Sequence, residues 1–165
     1  MEITNIESFL HYHSRIKQRT RRLFAYIPAD KIEWTYQEGK FTIGDLIRHI
    51  ANIERDLYAE TILQNESRYQ GCGTAYAEGL ENVINFYDRQ YSASKEIFAS
   101  LKDADLSQKC KTPMGAELSV WKWLRAMIEH EVHHRGQLYL YLGILGVSTP
   151  PIFGLTSEEV IEHST

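Results

Sequence analysis

The chain has 165 residues, with 18 Lys and Arg against 22 Asp and Glu, a net charge of −4 with histidine neutral. Its 43% hydrophobic and 24% charged residues give enough apolar material for a core, which excludes a disordered tail and any need for disulfide staples. Cys72 and Cys110 form no C-x-x-C motif, the longest apolar run (Leu138 to Val147) is too short to span a bilayer, and the first residues lack a signal-peptide pattern.

A single domain over residues 1–165, cytoplasmic and without membrane contact, is therefore expected. The first segment, about Thr4 to Ile27, opens with Thr4 and Glu7 at capping-box spacing. Apolar residues follow at helical spacing through Phe9, Ile16 and Leu23, and Pro28 closes the segment. Residues 28–41 read as a connection. Thr42, with Asp45 three residues on, starts a second helical pattern that continues to about Leu63. Residues 64–78 are polar and glycine-bearing and read as a flexible loop holding Cys72.

A third helix follows from Leu80 to Leu101, and the stretch from Asp103 to Leu118 loses helical period. There Thr112-Pro113-Met114-Gly115 marks a turn that two very short strands could flank. Ser119 stands as N-cap for a fourth helix from Val120 to about Leu145, ended by Gly146 and the Pro150-Pro151 pair. A short terminal helix begins at Thr156, with Glu159 completing a capping box. The expected fold is all-α, a four-helix bundle with a short irregular or β-turn insertion between helices 3 and 4.

The informative stretch is Glu129-His130-Glu131-Val132-His133-His134-Arg135-Gly136-Gln137. His130 and His134 lie about 40° apart around a helix axis, so both imidazoles can reach one metal ion. The same face carries Trp123, Met127, Leu138 and Tyr141, which turns the pair toward the bundle interior. His49, between Leu46, Ile50 and Ile53 on the second helix, is either a core histidine or the third ligand. With His130 and His134 facing inward, the metal reading is the better one, and three neutral histidines leave positions open for water or substrate. His133, about 60° from His130 on the other side, falls to the surface or behind the ligands, and His13 reads as core. Asn52, Asp56, Glu131 and Gln137 lie within a turn of a ligand and either orient one or are simply solvated at the surface. Gly136 reads as a place of close helix approach and Arg135 as a surface ion-pair former.

The literal H-E-x-x-H of His130 to His134 also matches zinc peptidases, with Glu131 as base. The extended form of that motif wants glycine at 137 and histidine at 140, where this chain has Gln137 and Leu140, and no convincing sheet is present. In the first helix, Arg15, Lys17, Arg19, Arg21 and Arg22 place five basic residues in eight positions. Helical spacing spreads them over more than one face and the whole chain is acidic, so they read as a solvated face, with no nucleic-acid partner.

Phe41-Thr42-Ile43-Gly44-Asp45-Leu46-Ile47-Arg48-His49-Ile50 and His130-Glu131-Val132-His133-His134-Arg135-Gly136-Gln137-Leu138 resemble the DinB-like superfamily. The resemblance is strongest to the bacterial branch that includes bacillithiol transferases and thiol-dependent isomerases. It implies a DinB-type four-helix bundle, often a homodimer, in which His49, His130 and His134 hold a divalent metal ion such as zinc or nickel. It also brings in a small-molecule thiol and an electrophilic substrate as partners. A three-histidine site deprotonates a coordinated thiol or lowers the pKa of bound water. The leading expectation is therefore a metal-dependent thiol S-transferase. The alternatives are a metal-dependent hydrolase with Glu131 as base and a non-catalytic metal-binding stress protein. Neither cysteine is needed for any of these.

Overall fold

The structure, a computed structural model, describes residues 2–164. Helix α1 (Ile6–Leu23) is capped one residue later than the sequence spacing predicts. The Asn5 side chain, not Thr4, accepts from Ser8 N at 2.8 Å. Asn5 also donates to Asp103, and so does Ile6 N, which ties the start of α1 to the 3-10 turn Asp103–Ser107. Helix α2 (Ile43–Asn52) begins with the expected reciprocal capping box of Thr42 and Asp45.

Beyond Asn52 the helix does not keep its period. A π-helical segment, Ile53–Ala59, intervenes before a last α-turn, Glu60–Ile62. Helix α3 (Leu80–Ala99) follows a long connection, and helix α4 (Val120–Ile144) follows the expected insertion. The insertion is a two-stranded antiparallel hairpin, β1 (Lys109–Lys111) with β2 (Glu117–Ser119), pairing Cys110 with Leu118. At the end of α4, Gly146 adopts φ +73°, which lets Val147 N reach Leu142 O (2.9 Å) and Gly146 N reach Gly143 O (3.0 Å). These two bonds satisfy carbonyls that a helix end otherwise leaves unpaired. Helix α5 (Ser157–His163) starts with the capping box of Thr156 and Glu159. Among the described residues, no helix is long and apolar enough to cross a membrane.

The apolar core is divided in two. One cluster joins Phe9 and Ile16 of α1, Ile53 and Ile62 beyond α2, Phe98 of α3, and Leu124 and Met127 of α4. The other joins Leu23 of α1, Ile43 and Ile47 of α2, Val83 and Tyr87 of α3, and Leu138 and Leu142 of α4. Helices α1 and α4 thus run from the first cluster to the second, whereas α2 and α3 run the opposite way. The parallel pair α2–α3 explains the long connection of residues 63–79, which must return along the bundle before α3 can begin.

Between the two clusters lies a buried polar layer. Lys17 Nζ stands 3.2 Å from Glu54 Oε2, 2.9 Å from Glu131 Oε2 and 4.0 Å from the centre of the Tyr87 ring. His13 Nε2 meets Glu54 Oε2 at 3.1 Å, and Tyr87 donates to Glu131 Oε1 at 3.0 Å. All five residues are buried. Burial alone would lower the Lys17 pKa, but Glu131 and Glu54 outweigh it and hold the ammonium well above its ordinary value. Burial likewise pushes Glu54 up, while Lys17 and His13 bring it down to about 2.

Two sequence expectations fail here for the same reason. Lys17 is not on a solvated basic face, and Arg135 is not a surface ion-pair former. Arg135 is buried, with its guanidinium directed at Ile16 O (3.5 Å). Gly136 is no site of close approach either, because a Cβ there would meet nothing within 4 Å.

Candidate metal centre

His49 of α2 and His130 and His134 of α4 meet on one side of this polar layer. His130 Nε2 lies 3.1 Å from His49 Nε2 and 3.0 Å from His134 Nε2. Among the described residues these three form one group able to hold a metal ion, with all ligand atoms within 4.8 Å of one another. Two nitrogens bound to one ion at about 2.0–2.1 Å with tetrahedral angles are about 3.3 Å apart, so the observed spacing fits one ion.

The outer nitrogens of two rings are held. His49 Nδ1 pairs with the Tyr69 hydroxyl at 2.7 Å, and His134 Nδ1 pairs with Gln137 Oε1 at 2.6 Å. The amide oxygen of Gln137 only accepts, so His134 carries its proton on Nδ1 and presents a bare Nε2 lone pair to the group. Desolvation is the main cause that lowers all three imidazole pKa values. His49 falls to about 4 and His130 to about 3, with the neighbouring histidines adding to the effect. At neutral pH the three rings are neutral bases facing one another. Neutral imidazoles are what a metal requires of histidine, and the donor set fits a divalent ion.

Arg48, the residue before His49, fixes the loop that brings Tyr69. Its guanidinium is fully buried and donates to Cys72 O (2.6 Å) and Ala77 O (2.9 Å), and to the carboxylates of Glu33 and Asp45 at 2.8 Å. A Cβ on Gly44 would stand 2.8 Å from Glu33 Oε1 and 2.9 Å from Arg48 Nη1, so a larger residue there would displace the ends of these two side chains. The segment read as a flexible loop is therefore pinned to α2, and Cys72 is buried within it. Burial raises the Cys72 thiol pKa, and Asp45 adds to that. Phe41 packs against the site from the start of α2, its ring 5.1 Å from His49 and 6.4 Å from His134.

Of the four residues considered as orienting groups, Gln137 alone bonds a histidine of the site. Asn52 is buried and bridges Gly71 O and Gln90, and Asp56 lies beside Arg68. Glu131, considered as a base, is turned into the polar layer with its oxygens engaged by Lys17 and Tyr87. A base must reach the proton that it abstracts, and Glu131 does not face the histidines' open side. His133 is exposed and His13 lies in the polar layer. Tyr69, Arg48 and Phe41 were not foreseen as parts of the site. Phe41 and Arg48 both precede His49 in the stretch that begins α2, but hydrophobic period gives no signal for a tyrosine supplied by a connection.

The chain is thus a bundle of parallel and antiparallel helices in which three neutral histidines converge between the two apolar clusters. The sequence profile of the DinB superfamily matches residues 12–138, and the chain belongs to that superfamily. No curated protein matches it. Its fold is similar to that of a DinB-like protein from Bacillus cereus ATCC 10987 (19% identity, TM-score 0.75, covering 90% of this chain and 97% of that one). A DinB-like protein from Bacillus subtilis is also similar (18% identity, TM-score 0.68, 87% and 95%). So is a mycothiol-dependent maleylpyruvate isomerase (14% identity, TM-score 0.64), with 81% of this chain aligned to 60% of that longer enzyme.

Proposed function

We propose that this protein is a metal-dependent thiol S-transferase whose divalent ion is held by His49, His130 and His134. The observation that carries the reading is the convergence of three desolvated imidazole nitrogens, two of them with their outer nitrogens engaged by Tyr69 and Gln137. The thiol dependence of the structurally similar maleylpyruvate isomerase supports the choice of a thiol as co-substrate. A divalent ion in such a site supplies Lewis acidity that makes a thiol available as thiolate at neutral pH.

The chain's own residues do the rest. Tyr69 and Gln137 fix the ring orientations, Arg48 holds the Tyr69 segment in place, and Phe41 packs against the His49 and His134 rings. With a halogenated electrophile such as monochlorobimane, sulfur forms a bond to the electrophilic carbon, the carbon–halogen bond breaks with both electrons on the halide, and the thiol proton passes to solvent. Glu131, sequestered with Lys17, gives the hydrolase alternative no base.

The test is conjugation of monochlorobimane with the common low-molecular-weight thiols, one at a time, on metal-loaded and chelator-treated protein. Conjugation that requires metal and disappears in His49→Ala supports the reading. No metal-dependent conjugation with any thiol refutes it.

A further inference from the structure

A cavity of about 560 Å³ opens beside the histidines, and the metal centre does not use it. Phe41 and Gln137 belong to both: each lines the cavity, and each also touches the rings of the site. Away from the histidines the wall is apolar, formed chiefly by Tyr36, Leu140, Tyr141 and Ile144. Leu140 and Ile144 stand one turn apart on α4 and are 61% and 54% exposed, on a helix whose opposite face fills the core. Tyr36 and Tyr141 meet edge to face with centroids 5.4 Å apart, which leaves flat aromatic surface along the opening. Lys40 is the one charged side chain of the lining, and it has no ion-pair partner among the described residues.

We infer that this cavity binds the electrophilic substrate, and that it selects one with a flat apolar or aromatic body and an anionic group. The inference rests on the proposed transferase reading, because the cavity's place beside the histidines gives its occupant a reaction to undergo. Aromatic and aliphatic walls with a single cation are the composition of a site that buries an apolar body and orients it by one charge. The volume suits a small molecule of one or two rings. Phe41 and Gln137, at the boundary, set such a body against the histidine rings. The charged group would then lie at the Lys40 end.

The test separates binding from chemistry. Titration with the anionic aromatic dye 1-anilinonaphthalene-8-sulfonate is expected to show one saturable site on both metal-free and metal-loaded protein. Leu140→Glu and Lys40→Glu, both at exposed positions, are each expected to raise its Kd about tenfold. In conjugation assays, 4-chloro-3-nitrobenzoate and iodoacetamide serve as a flat anionic and a small neutral electrophile. Both variants should lower the ratio of their kcat/KM values about tenfold against the aromatic acid.

An unchanged Kd and an unchanged ratio would overturn the inference while conjugation itself persists. Absence of conjugation with either electrophile would instead defeat the transferase reading, and the dye titration would still report on the cavity. Should Leu140→Glu split a dimer without altering dye binding, the face is a contact between copies of this chain and the inference fails.

Discussion

Two polar clusters share the middle of the bundle and two of its helices. His49 and Glu54 lie five residues apart in and beyond α2, and His130 and Glu131 are neighbours on α4, yet the environments differ in kind. In the buried layer opposite charges pair: Lys17 lies between Glu54 and Glu131, and all three are buried. In the histidine cluster, nothing supplies opposite charge, and three neutral nitrogens face one another near the surface. A buried cluster of paired charges ties the helices that supply them to one another. A cluster of neutral bases has the donor set that the proposed divalent ion requires.

The largest effect expected from this contrast lies in the buried layer. Lys17→Met leaves Glu54 and Glu131 buried without their cation, and urea unfolding at pH 7 should show a loss of about 3–5 kcal/mol. A loss under about 1 kcal/mol would mean that the layer does not hold the two core clusters together.

The second expectation concerns pH and the metal-free protein. His49 and His130 have folded pKa values of about 4 and 3, against about 6.5 in an unfolded chain. As pH falls from about 6.5 toward 4, the unfolded chain takes up protons that the folded one refuses, so stability falls. It is fully present above about 6.5, and the decline should be shallower in His130→Leu. Equal pH slopes for the two proteins would show that desolvation of these rings is not what sets the histidine cluster apart.

A smaller effect is expected from the groups that hold the rings. Tyr69→Phe and Gln137→Leu each remove the partner of an outer imidazole nitrogen, and metal affinity by competition with a chelator should drop about 10- to 100-fold. Unchanged affinity would assign those hydrogen bonds to packing alone. The smallest effect is at Gly136, whose open surroundings make Gly136→Ala stabilising by about 0.5–1 kcal/mol, with metal binding retained. Destabilisation there would restore the close-approach reading of that glycine.

The sequence makes the histidine cluster legible because each ligand falls on a continuous apolar stripe. The spacing of His130 and His134 is a property of the helix itself, and His49 sits among Leu46, Ile50 and Ile53. The helices and their capping boxes at Thr42 and Thr156 were equally readable, since caps and period are local.

The buried layer is far less legible in the sequence. Lys17 occupies the stripe of His13, Thr20 and Phe24, but a cationic side chain beside four arginines looks like part of a solvated face. Its burial depends on two carboxylates from other helices, which no local pattern reveals. One of these, Glu54, belongs to the π-helical segment, where the turn widens and the 3.6-residue period assigns faces wrongly. Tyr69 gives no local signal, because its connection is held by distant partners: Arg48 on Cys72 O and Ala77 O, Asn52 on Gly71 O, and Arg68 N on Asp56 O.

The central claim is that His49, His130 and His134 together hold one divalent ion. Elemental analysis of untagged protein, purified without a chelating column and compared with His49→Ala and His130→Ala, tests it most directly. The account predicts close to one equivalent of divalent metal per chain in the wild type and near-complete loss in both variants. No stoichiometric metal in the wild type, or equal metal content in all three proteins, would contradict it.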